Sequence, residues 1–216
     1  LLSSFVAGET QVLIGTQMIA KGLDIPGVTL VGVIAADVTL YIPDYRSCER
    51  TFQLITQVAG RAGRDDSPGT VVVQTYSPNH PAIRYASQHD YKGFYTFETS
   101  ERRAGLFPPY SIFIRVLFTG LSEDEIETEA SRVREDLQKL LLQTLQKRDA
   151  NPLELLFIVN SPAPMRRRQG RFRHQILIKI LRTKNTSALI SRIYGYIDAN
   201  RTQNFHSLEV NPGEML

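Results

Sequence analysis

Cysteine is almost missing from this sequence: Cys48 stands alone among 216 residues. No intrachain disulfide and no cysteine-built zinc site can form from it. No apolar run approaches the roughly 18 residues needed to span a bilayer, and no signal-peptide pattern is visible, so a cytoplasmic protein with no membrane partner is expected. A Gly-x-x-x-x-Gly-Lys-Ser/Thr phosphate loop is also lacking, which excludes a self-sufficient P-loop ATPase site within these residues. Nor does charge of one sign dominate. The net charge is +3 with a pI near 9.0, which admits an anionic partner without identifying one. Hydrophobic and charged fractions of 42% and 22% are ordinary for a folded protein and exclude wholesale disorder. A chain of this length builds one large or two modest domains. It begins with Leu1, not methionine, inside sequence that reads as folded, as expected of a piece of a longer protein.

What is present falls into two halves. In the first, Gln11 to Gly15 reads as a short strand. Val28 to Ala35 reads as a strand buried on both faces, because its apolar run is nearly continuous. Asp44 suits the N-cap of a helix from about Tyr45 to Ala59, with Phe52, Ile55 and Ala59 on one stripe. Val71 to Thr75 is a strand of mostly β-branched residues. Strands alternating with helices imply an α/β layer with a mainly parallel sheet. The stretch from His80 to about Gly105 is helical in pattern, with Ile83, Tyr85, Tyr91, Phe94 and Phe97 as packing residues. Pro108-Pro109 then stops regular structure, since neither has an N–H to donate.

Beyond the prolines, Ile112 to Thr119 alternates as a strand. Ser122 with Glu125 forms a capping box for a long helix whose stripe is Ile126, Ala130, Val133, Leu137, Leu140 and Leu141. Leu153 to Asn160 and His174 to Arg182 read as strands. Ala188, Leu189, Ile193 and Ile197 mark a second helix, and Phe205 to Val210 a last strand. The order β-α-β-β-α-β is that of a ferredoxin-like α+β domain. Asp124-Glu125-Ile126-Glu127 imitates a magnesium-binding DExx box, but in the first turn of a capped helix it complements the dipole and receives no catalytic role.

Three stretches carry chemistry. Gln57-Val58-Ala59-Gly60-Arg61-Ala62-Gly63-Arg64 sets an amide and two arginines around a flexible backbone. It is either a glycine-rich turn with solvated arginines or a surface that grips a nucleotide held mostly elsewhere, since guanidinium forks onto two phosphate oxygens at once. The second stretch runs from Ser161 to Lys184, with eight Lys or Arg residues and no acidic one. It reads as a loop between strands, either a solvated charged turn or, around Arg171-Phe172-Arg173, a contact surface for phosphates or carboxylates with an aromatic able to stack. The third, Ile14-Gly15-Thr16-Gln17-Met18-Ile19-Ala20-Lys21-Gly22-Leu23-Asp24-Ile25-Pro26-Gly27-Val28, precedes Gln57 by ~40 residues. Asp24 there is also open to a plain turn role before Pro26.

Together the first and third stretches resemble motifs VI and V of superfamily 2 helicases, in order and at suitable separation. Asp44-Tyr45-Arg46-Ser47-Cys48-Glu49-Arg50-Thr51-Phe52-Gln53-Leu54, Glu101-Arg102-Arg103, Pro108-Pro109-Tyr110, Pro162-Ala163-Pro164 and Gly170-Arg171-Phe172-Arg173-His174-Gln175 narrow this to a resemblance to the PriA family of replication-restart helicases. It covers nearly the whole chain. It implies that residues 1–106 are part of a second RecA-like helicase lobe and 107–216 the family's C-terminal domain. By that resemblance Thr16 touches the nucleic-acid backbone, Gly22, Asp24 and Gln57 bind ATP, and Arg61 and Arg64 are catalytic, Arg64 as the arginine finger.

The resemblance further implies Arg171, Phe172 and Arg173 as DNA contacts, and Arg171 with Gln175 as contacts to the acidic tail of single-stranded-DNA-binding protein. It implies a 3′ to 5′ helicase using ATP and Mg2+, working on forked and single-stranded DNA with other primosome proteins. The family's zinc ligands are absent from this sequence, and no metal site is expected in it. The chain alone is expected not to hydrolyse ATP. The alternative is a stand-alone module that binds DNA or a protein tail.

Overall fold

The computed structural model describes residues 2–16, 27–60, 62 and 69–213. The chain divides into two compact units, residues 1–100 and 101–216. The division falls within a helix.

In the first unit, β1 (Leu30–Val33) and β2 (Thr70–Val73) pair in parallel, from Leu30 opposite Thr70 to Val33 opposite Val73. Around them lie α1 (Leu2–Val6), α2 (Asp37–Leu40), α3 (Ser47–Ala59), α4 (Pro81–Ser87) and α5 (Tyr91–Ala104). Leu40, Phe52, Ile55, Ala82, Ile83, Ala86 and Phe94 form the core, with the Phe52 and Phe94 rings stacked at 4.1 Å. Two expectations are corrected. Gln11 to Gly15 is not a strand, because no described strand pairs with it and Val12 and Ile14 stay exposed. The strand expected to be buried on both faces alternates instead, with Leu30 62% exposed and Val31 and Val33 half-buried.

Helix starts also moved. Asp44 does not cap a helix at Tyr45. Its Oδ1 accepts from the Arg46 N–H at 2.9 Å, closing a turn that delays the helix to Ser47. The single helical stretch expected from His80 breaks at His89, which sits at φ 51°; the Asp90 Oδ1 then accepts from the Gly93 N–H and restarts the helix.

The second unit follows the anticipated order: β3 (Ser111–Gly120), α6 (Glu123–Lys147), β4 (Leu155–Arg168), β5 (Arg171–Leu181), α7 (Thr186–Ala199) and β6 (Phe205–Val210). The sheet runs β4-β5-β3-β6, antiparallel throughout. Ser122 Oγ accepts from the Glu125 N–H, as the capping pattern requires. Ile126, Ala130, Val133, Leu137 and Leu141 press on Ile114, Val116, Ile176, Ile178 and Ile180, each nearly or wholly buried. Each such large aliphatic contributes about 1.5–3 kcal/mol. That core makes the sheet a rigid base for whatever its edges carry. Among the described residues no helix is long and apolar enough to cross a membrane.

Candidate functional site

The basic stretch expected as a loop is a β-hairpin. β4 continues through Pro162 and Pro164 to Arg168, and β5 begins at Arg171. Proline cannot donate to a ladder, but β4 is the sheet's edge strand, where an unpaired N–H faces solvent and its loss is tolerated. Pro162 still pairs with His174, and the register slips between Pro162 and Arg167, absorbing Pro164 in a bulge. Gln169 at φ 51° and Gly170 at φ 79° make the two-residue turn. Two consecutive left-handed residues are the signature of a type I′ hairpin.

The hairpin carries Arg166, Arg167, Arg168, Arg171 and Arg173, and the structure separates their roles. Arg166 forks onto Glu123 in the first turn of α6, Nε to Oε1 at 2.6 Å and Nη2 to Oε2 at 2.9 Å. That pair holds the Glu123 carboxyl below its ordinary range. Arg167 lies 5.0 Å over the Phe172 ring and its Nε donates to the Gly170 carbonyl. Arg173 is half-buried and donates to the Met165 carbonyl; burial, then nearby Arg115 and Arg168, lower its pKa. The side chains of Arg168 and Arg171 are exposed and make no hydrogen bond or ion pair with another described residue.

Phe172 packs against the core of the second unit on one side and under Arg167 on the other. Its ring is partly exposed, with packing contacts on both sides. Strand alternation places Arg171, Arg173 and Gln175 on the opposite face of β5, away from α6 and α7. Arg171 and Gln175 stand about 13 Å apart along the strand at roughly 3.3 Å per residue. Gln175 is 3% exposed and its Oε1 has no partner among the described residues. Nearby on that face Arg115 pairs with Glu209 at 2.9 Å, and Ser207 Oγ donates to the same carboxylate.

Further along the same face, Lys179 Nζ sits 4.5, 5.3 and 5.9 Å over Phe107, Phe113 and Phe157 and donates to the Gly105 carbonyl. Those aromatics are therefore closed to bases, unlike the stacking platforms of RNA-binding sheets of this topology. Arg115 and Glu209 went unremarked in the sequence because only the register of β3 on β6 brings them together.

Of the residues expected in the first unit, Thr16 and Gln57 are both exposed. Gln57 lies in the last turn of α3, where its carboxamide is free to donate and accept. Gly22, Asp24, Arg61 and Arg64 lie outside the described residues. Glu123, Asp124 and Glu125 occupy the first turn of α6, as the helix-dipole reading requires.

Comparison with known proteins covers both units. The helicase conserved C-terminal domain family matches residues 1–66, and the primosomal protein N C-terminal domain family matches residues 103–212. Replication restart protein PriA of Bacillus subtilis (strain 168) is 42% identical over 219 residues, covering 100% of this chain and 26% of the relative. The protein of that name from Synechocystis is 41% identical over 179 residues, covering 83% of this chain and 20% of the relative. That of Chlamydia pneumoniae is 42% identical over 179 residues, covering 83% and 23%. The chain spans about a quarter of the length of these curated relatives.

Proposed function

This chain belongs to the PriA family of replication restart proteins, and from that premise we propose that it supplies the second motor lobe and the C-terminal DNA-contacting domain of an ATP-driven 3′ to 5′ DNA helicase acting at stalled forks. The observation that carries the reading is the similarity along the entire chain, which includes both the glycine-arginine motif and the basic hairpin. In this account Gly22, Asp24 and Gln57 face the nucleotide, and ATP with Mg2+ supplies the phosphoryl group whose transfer drives movement. Gln57 fits such a contact, since its amide is exposed one turn from the arginine stretch. Arg61 and Arg64 would neutralise charge developing on that group, an effect of about 10³ to 10⁵ in rate for an arginine finger. Thr16 would hold the DNA backbone.

The second unit binds the fork and recruits. Arg171 and Arg173 offer phosphate contacts, which position a protein without reading sequence. The same face of β5 suits the acidic tail of single-stranded-DNA-binding protein. Arg171 would meet a carboxylate, and the Gln175 Oε1, buried and unpartnered, would accept a backbone N–H of the tail. A helicase of this kind works on the chromosome, in the cytoplasm, with other primosome proteins. The reading is tested by carrying Arg64→Ala into the full-length protein and measuring unwinding alongside DNA binding.

A further inference from the structure

We propose that Arg168 and Arg171 form a two-guanidinium clamp for a single backbone phosphate of forked DNA at the hairpin tip. The inference rests on the DNA reading above and adds Arg168, which sequence alone left as a solvated charge.

The ladder sets Arg168 directly opposite Arg171, one step from the Gln169–Gly170 turn. Directly opposed residues place their Cβ atoms about 4.5–5.5 Å apart, and like charges so placed repel. No carboxylate among the described residues pairs with them. The contrast is with their neighbours: Arg166 is satisfied by Glu123, Arg167 by the Phe172 ring and Gly170, and Arg173 by Met165. Two unsatisfied, exposed cations held apart by a tight turn are a geometry that an oxyanion resolves, each guanidinium taking one non-bridging oxygen.

The tip also favours nucleic acid over an acidic peptide. Phosphate contacts need only accessible charge, whereas a peptide contact draws its energy from buried anchors in a pocket. The turn itself is Gln169–Gly170, both exposed, and the Phe172 ring beside it packs partly against the core. A two-stranded ribbon ending in so small a turn also fits a DNA groove.

The test uses the whole chain and a forked DNA with single-stranded arms, its affinity measured by anisotropy across a salt series. Because one phosphate is shared, either guanidinium alone still neutralises it: Arg168→Ala and Arg171→Ala are each expected to weaken binding with the slope of log K against log salt nearly unchanged, and the double variant to lower the slope by about 0.9. Arg166→Ala should leave the slope as it is. Wild-type affinity in Arg168→Ala, or a double variant that loses two contacts' worth of slope, overturns the shared clamp while leaving hairpin–DNA binding intact. If Arg168→Ala and Arg171→Ala spare DNA and weaken only an acidic tail peptide, the pair is a carboxylate site and the proposal fails. Absence of fork binding by the wild-type chain overturns the DNA reading itself, and this pair's role with it.

Discussion

Gly170→Val tests how the hairpin turn sets the site. Gly170 sits at φ 79°, and a Cβ built there meets nothing within 4 Å. The cost is therefore conformational and not steric. A left-handed conformation costs an L-residue about 1–2 kcal/mol, and a β-branched one at the upper end or beyond. Between the turn and the bulge only two pairs hold the tip, Arg167 with Phe172 and Arg168 with Arg171, and the second is repulsive. Fraying there is opposed by the Phe172 packing and the Arg166–Glu123 pair, and a loss of 1–2 kcal/mol translates into roughly a 5- to 30-fold larger open population. Apart from the Phe172 contact the core of the second unit lies beyond the bulge, so the global loss is capped near the same 1–2 kcal/mol. Amide hydrogen exchange reads the effect directly: protection should fall at Arg171 to Arg173 and persist at Ile114 to Phe118. Salt dependence of fork binding should fall in parallel. Gly170→Asn is the control, since asparagine tolerates the left-handed region, and it should resemble the wild type. If valine matches asparagine in exchange and in DNA binding, the turn does not organise the arginines.

Burial holds the His174 imidazole below its ordinary 6.5, with Glu127 and Glu123 opposing the shift. The unfolded chain therefore takes up a proton that the folded one refuses. Stability is level above the unfolded pKa and falls as pH drops below it, by at most about 1.4 kcal/mol per pH unit. His174→Phe should remove this acid sensitivity from urea unfolding of the second unit between about pH 7 and 5; an unchanged pH profile would contradict it. Gln175→Leu removes a buried acceptor that has no partner among the described residues and should hold or raise stability, while affinity for an acidic C-terminal peptide falls about 5- to 10-fold, the worth of one hydrogen bond. Equal peptide binding by titration calorimetry would remove Gln175 from that role.

Periodicity carried most of the second unit. The stripe on α6, the capping box and the strand alternation are local signals, and all agree with the ferredoxin-like order. The hairpin was illegible for the opposite reason: Pro162 and Pro164 read locally as breakers, and only the edge position of β4 makes them harmless. The break at His89 was hidden because a non-glycine residue takes a positive φ there. At the site, the absence of acids singled out Arg171 and Arg173, but not which arginines are already satisfied. That distinction depends on Glu123, which is 43 residues from Arg166 in sequence, and on the ring of Phe172. Likewise the partial packing of Phe172 against the core follows only from strand parity.

The central claim is that this chain contributes half of a helicase's ATP site as well as a DNA-binding surface. The full-length protein carrying Arg64→Ala, assayed for fork unwinding, DNA-stimulated ATP hydrolysis and fork affinity in one buffer, tests it most directly. The account requires unwinding and hydrolysis to fall by about 10³-fold or more while fork affinity stays at the wild-type value. Retained unwinding, or a loss of DNA binding that by itself explains the lost activity, would contradict it.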